Sequence, residues 1–212
     1  MLRSLAISRI KRGLDFRVGS TDDDNLVLQL QESQRLLEKG KDLPRFLIEE
    51  DATLVATSGD AEIALPERFL RELEESEFQY YDSEVAEWVT LEKVSINEGR
   101  TRFADASSGK PQAYTLRKAT IVFWPERDTD YTMTWSYYKA ADLLDSDIEN
   151  AWLEHNPEAL IGHAGMRYAA DLGNEAARLR FEAMYTEAWS GQFAEDVERD
   201  RDNDPIYMGG RL

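Results

Sequence analysis

Two histidines and 42 carboxylates are the obvious raw material for acid-base or metal chemistry in this 212-residue chain, which contains no cysteine. His155 and His163 stand eight residues apart, about two helical turns. Neither belongs to a His-Glu-x-x-His or Cys/His zinc pattern, so both read as solvated or capping side chains. A Gly-x-Ser-x-Gly elbow, a phosphate-binding glycine loop ending in Gly-Lys-Ser/Thr and a thiol nucleophile are all absent from the sequence. The acids are so many that a pair at glycosidase separation carries no information. Glu74-Glu75 and Asp22-Asp23-Asp24 read as solvated helix ends. Trp124, Trp135 and Tyr137 could stack on a sugar, but their setting fits the core of a sheet better. We expect no catalytic residue, no cofactor-binding residue and no metal site.

That sheet is written most clearly over residues 111–139. From Tyr131 the side chains alternate: Tyr131, Met133, Trp135 and Tyr137 fall on one face, and Thr132, Thr134, Ser136 and Tyr138 on the other. The apolar runs 113–117 and 119–124 are expected to be its hairpin partners, joined through Pro125 and the polar residues 126–130. An earlier hairpin is expected from 53–57, the turn Ser58-Gly59-Asp60, and 61–65, stopped by Pro66. Residues 67–77 suggest a short helix through Phe69, Leu70 and Leu73, while 78–90 are ambiguous and 91–99 suggest a further helical turn or two.

Helices frame this region. Residues 1–14 place Leu2, Leu5, Ala6, Ile10 and Leu14 at helical spacing, which favours a docking helix over a transit peptide. A second helix should run from Asp23 or Asp24 to Gly40 on an inner stripe of Val27, Leu30, Gln34 and Leu37. Asn156-Pro157-Glu158 is a helix start, since Asn accepts from free backbone donors and Pro fits the first turn. That helix should end at Gly173 and a longer one begin at Asn174, with Ala176, Leu179, Ala183, Met184, Trp189, Phe193 and Val197 on its apolar side. The expected architecture is α+β: a helical body of residues 1–45 and 142–200, an inserted antiparallel β lobe of residues 46–141, and an extended C-terminal arm of residues 201–212.

Composition limits function. A hydrophobic share of 42% with 8 Phe, 9 Tyr and 5 Trp is enough for a core. No apolar run approaches the ~18 residues of a bilayer span, so a soluble chain without a membrane partner is expected. The net charge of −17 repels nucleic-acid backbones. It is also uneven, because residues 1–20 carry Arg3, Arg9, Lys11, Arg12 and Arg17 against Asp15, a net of +4, which leaves −21 elsewhere. Near the end, residues 195–204 hold six acids against Arg199 and Arg201. We expect the charged run to fray, Pro205 to stop any helix, and Ile206, Tyr207, Met208 and Leu212 to be apolar anchors of a docking arm.

The order of helices, the Leu65-Pro66 step, Pro111-x-x-Tyr114-x-Leu116, Phe123-Trp124-Pro125, Tyr131, the Tyr137-Tyr138 pair and two long helices resembles the adaptor, or head-to-tail connector, proteins of tailed bacteriophages. The resemblance runs over roughly residues 14–197. It implies a virion protein, assembled in the host cytoplasm, that forms a twelve-fold ring below the portal. Its implied partners are the portal protein, tail or nozzle proteins and neighbouring adaptor subunits, with DNA passing through the channel without specific binding. The arm anchors would then bind the portal or a neighbouring subunit. The alternative is a cell-wall glycan hydrolase or glycan-binding module, which needs convergent acids or exposed aromatics in a cleft.

Overall fold

The structure is a computed structural model that describes residues 1–14, 22–59, 62–74, 76–106, 108–144 and 150–203. Helices α1 (Arg3–Gly13) and α2 (Asp23–Glu38) open the chain. Strands β1 (Ile48–Ala56), β2 (Glu62–Ala64), β3 (Phe69–Glu72), β4 (Gln79–Asp82), β5 (Glu87–Thr90) and β6 (Glu92–Lys93) follow. Then come α3 (Ile96–Arg102), β7 (Ala113–Arg117), β8 (Thr120–Trp124) and β9 (Tyr131–Lys139). The chain closes with α4 (Ala151–His155), α5 (Pro157–Asp171) and α6 (Glu175–Asn203). The fold is α+β. It divides into two compact units, Met1–Leu47 together with the chain from Ala141 onward, and Ile48–Ala140.

In the helical unit α5 is the hub, burying Ala159, Leu160, Ile161, Ala164, Tyr168 and Ala169. Its start is set by Asn156, whose Oδ1 accepts from the Ala159 amide at 3.1 Å ahead of Pro157. Gly173, at φ +64°, then turns the chain, and Asn174 accepts from the Ala177 amide at 3.2 Å. Two glycines bring α6 against α5. A Cβ on Gly162 would sit 2.7 Å from the Tyr185 backbone nitrogen, and one on Gly165 would sit 2.6 Å from the Phe181 ring. Gly13 meets the same ring, its virtual Cβ 2.3 Å from Phe181 Cζ. Phe181 is thus buried between α1 and α5 through contacts that only glycine permits.

The buried face of α6 carries Ala177 and Phe181, whereas Ala176, Leu179 and Ala183 of the expected stripe are exposed, Leu179 by 52%. Met184, Trp189 and Phe193 are half-buried. The helix continues through Asn203, so residues 201–203, expected in the extended arm, are helical. In α1 and at the Leu14 that follows it, Ala6, Ile10 and Leu14 are buried as expected, but Leu5 and the preceding Leu2 are exposed. In α2 the buried stripe is Leu26, Leu30, Gln34 and Leu37, with Val27 only half-buried.

In the β unit two sheets share one core. The first runs β1-β9-β4-β5, with β3 also on β9; the second runs β2-β8-β7-β6. The alternation of β9 is as expected: Tyr131, Met133, Trp135 and Tyr137 are buried. They meet Ile121 and Phe123 of β8, Tyr114 of β7 and Phe78 in that core. The pairings differ from expectation. Strands β7 and β8 form a hairpin, but β9 leaves for the other sheet, where it pairs with β1 on one side and with β3 and β4 on the other. Strands β1 and β2 likewise part, β2 pairing with β8.

Both crossings occur at one corner. Arg127 Nη2 donates to the Thr57 carbonyl at 2.9 Å, and Ser58 Oγ donates to the Asp128 carbonyl at 3.1 Å. Arg127, 1% exposed, stacks over Phe123 at 4.7 Å. The short helix expected over 67–77 is replaced by β3, because pairing of Phe69 with Lys139 and Glu72 with Tyr137 outweighs a weak local helical preference. Strand β6 lies parallel to β7, and Gly109 forms an isolated parallel bridge with Arg127.

Candidate functional site

The expected chemical residues are scattered. His155 ends α4 exposed, stacked on Phe46 at 5.2 Å, while His163 lies on α5, past the break at Asn156. Burial first, and the Arg167 charge second, push the His163 pKa down. The His163 ring sits edge-on to Tyr185. A groove of about 390 Å³ brings His155, Glu158 and Glu187 together, but a Glu158 oxygen is held by Arg9 at 2.8 Å. Among the described residues no group of three or more His, Asp or Glu side chains is placed to hold a metal ion. Trp135 and Tyr137 are core residues, 1% and 4% exposed. Trp124 is wedged against Gly99 of α3 and donates to Thr115 Oγ1 at 3.0 Å. None of the three forms an open sugar platform.

Polar groups that are buried serve to join segments. Glu38 Oε1 accepts from Gln34 Nε2 at 3.0 Å, the Ala141 amide at 3.0 Å and Trp152 Nε1 at 3.1 Å. Asn150 adds a bond to Gln34 Oε1 at 3.3 Å and accepts from the Trp152 amide at 2.9 Å. In the β unit Lys110 pairs with Asp82 at 2.8 Å and with Glu84, holding the Asp82 carboxyl below the usual range.

Two surfaces remain suited to binding. On the outer face of the first sheet, cross-strand pairing lines up Val55 with Thr132 and Tyr81 with Trp88, with Tyr81 beside Thr132 through the adjacent Tyr80–Met133 pair. Val55 is 68% exposed and Trp88 48%. The next row, Thr53, Thr134, Gln79 and Thr90, is also uncharged. In the helical unit a pocket of about 310 Å³ has Ile161, Phe181 and Met184 as its floor, with Arg9, Arg12 and Arg180 at its rim. Arg180 Nη2 donates to the Gly13 carbonyl at 2.9 Å, which ties α6 to the end of α1. Sequence reading missed both surfaces: their residues come from distant elements. The anchors Ile206, Tyr207, Met208 and Leu212 lie outside the described residues.

Among the described residues no helix is long and apolar enough to cross a membrane. A comparison with curated proteins finds no match. The family model described as SU10 adaptor protein matches residues 4–209, across both compact units. With most of its length matched, the chain belongs to the SU10 adaptor protein family, structural proteins of bacteriophages.

Proposed function

We propose that this chain is a virion head-to-tail adaptor whose copies close into a ring of twelve below the portal, extending the DNA channel and presenting a docking surface to tail or nozzle proteins. The family match over residues 4–209 carries this reading. The exposed side of α6 supports side-by-side packing: Ala176 and Ala183 flank Leu179, and the space around Gly191 is open. Heterologous contacts of this kind give rings when the rotation closes. The net charge of −17 suits a channel along which DNA slides without sticking, and it opposes self-assembly until a portal template supplies compensating contacts.

In this reading residues 1–45 and 142–200 act as the body, residues 46–141 as the lobe and the C-terminal residues as a docking arm. The role is structural, without catalysis. Cryo-electron microscopy of purified portal with the full chain tests it: a closed ring is expected, and an isolated subunit on the portal would refute it. Removal of residues 205–212 should leave the thermal stability of the free chain nearly unchanged while weakening its attachment to the portal, measured by co-sedimentation. Full attachment of the truncated chain would remove the arm from this scheme.

A further inference from the structure

We propose that the arginine-rimmed pocket between α1, α5 and α6 receives Ile206, Tyr207 and Met208 of a neighbouring copy of this chain, with the acidic residues before them meeting the rim. The inference rests on the ring reading above and names the surfaces that would join its copies.

The pocket and the segment are complementary in charge and in polarity. Helix α1 carries Arg3, Arg9, Lys11 and Arg12 and no acid, in a chain whose net charge is −17. Residues 195–204 supply six acids against two arginines, and after Pro205 come the three apolar side chains Ile206, Tyr207 and Met208. Ile161 and Phe181 are already only 1% and 5% exposed, so the open apolar side chain is Met184. An isoleucine, tyrosine or methionine side chain gains by covering it, and a phosphate or a lone carboxylate does not. The volume of about 310 Å³ holds a few side chains and excludes a nucleic-acid duplex. The rim arginines already bond within the subunit, Arg9 to Glu158 and Arg180 to the Gly13 carbonyl. Arg12 Nε donates to the Ser8 carbonyl at 3.4 Å while its side chain stays exposed on α1, and a guanidinium carries five donors in all.

Length makes the occupant a second copy. From Met184 to Asn203 the helix α6 advances 19 residues, about 28 Å at 1.5 Å per residue. The five residues from Asn203 to Met208 extend at most about 18 Å. A chain therefore cannot bring these three side chains back to its own pocket. A pocket on one copy and a segment on the next make a contact between unlike surfaces, the kind that propagates around a ring.

The test titrates a fluorescent peptide of residues 195–212 into the full-length chain, read by anisotropy at low and high salt. Binding should weaken at high salt and by about tenfold or more in an Arg12→Glu, Arg180→Glu double variant. Serine at Ile206 and Tyr207 of the peptide should weaken it too. Arg12→Glu alone, at an exposed position of α1, serves if the double variant does not fold. Equal binding of a scrambled peptide of the same composition, or binding unchanged by the arginine variants, overturns the inference. The outcomes separate from those of the ring reading. Portal-bound rings formed equally well by the double variant would overturn this contact alone. Absence of rings from the unaltered chain would overturn the functional reading while peptide binding persisted.

Discussion

Replacing Glu38 by alanine should be among the most damaging single changes in the helical unit. Its Oε1 receives three donors, the Gln34 amide nitrogen, the Ala141 backbone nitrogen and the Trp152 indole, all within 3.1 Å. Gln34 keeps alternatives, because its Nε2 also reaches the Ala141 and Asp142 carbonyls at 3.2 Å. The Ala141 amide and the Trp152 indole would lose the acceptor that Glu38 provides, and Trp152 is fully buried. At about 1–3 kcal/mol for each of these two buried donors left without its acceptor, the loss is ~2–6 kcal/mol. For a chain of this size, at about 2–4 °C per kcal/mol, that is a fall in Tm of roughly 4–24 °C. Glu38→Gln retains an acceptor oxygen at the same place and gives up only the charge assistance, so its cost should be ~1 kcal/mol. Circular dichroism melts of the wild type and both variants give the ordering directly. A Glu38→Ala melt within 2 °C of wild type, or equal losses for the two variants, would refute the reasoning (about 1 kcal/mol resolves as 2–4 °C).

Three further outcomes are expected. Helix propensity alone would make Gly162→Ala stabilising by about 0.5–1 kcal/mol; the 2.7 Å approach to the Tyr185 backbone instead makes it destabilising by ~1–2 kcal/mol, and a raised Tm would contradict that. Arg127→Met should cost the β unit ~2 kcal/mol through the Thr57 carbonyl bond, with faster amide hydrogen exchange in β1 and β9; unchanged exchange there would count against the corner as a joint. His163, with its folded pKa depressed by burial, resists a proton that the unfolded chain accepts near pH 6.5. Its contribution to stability is therefore present above that pH and is lost as pH falls through the folded pKa. An NMR titration of the ring should give a midpoint below 6.5, and His163→Gln should flatten the Tm profile between pH 7.5 and 5.5; an ordinary midpoint would end this account.

Periodicity told which side chains turn inward, not which strands meet. The alternation in β9 gave the buried Tyr131, Met133, Trp135 and Tyr137 correctly, since a half-buried strand needs period two whatever its neighbours. Its partners were misassigned because adjacency in sequence favours hairpins, and nothing local marks a chain that changes sheets. The signal was Arg127, a charged side chain in a connection, now buried at the corner where both crossings are tied. Caps were legible for a different reason: Asn156-Pro157 and Gly173-Asn174 act through bonds to backbone groups a few residues away. The face of α6 was not. Ala176, Leu179 and Ala183 step by three and then four residues, Ala177, Phe181 and Met184 by four and then three, and both fit a helical face, so alanine-rich sequence allows two neighbouring stripes. The choice between them is made on other helices, where Gly13, Gly162 and Gly165 leave room for the Phe181 ring and for the α6 backbone.

The same glycine contacts create the pocket. Arg12 and Arg180 are separated by 168 residues and share a rim only because Gly13 lets the end of α1 close on Phe181. The bond from Arg180 to the Gly13 carbonyl then fixes the guanidinium beside the apolar floor it borders. A surface of this kind has no sequence motif, because binding complementarity needs only charge and apolar area at the right distance, which many residue combinations provide. Catalysis is stricter, since it demands particular functional groups at particular distances. An adaptor's chemistry is association, so the residues that matter are those that bring distant elements together, and they are recognised by what they pack against.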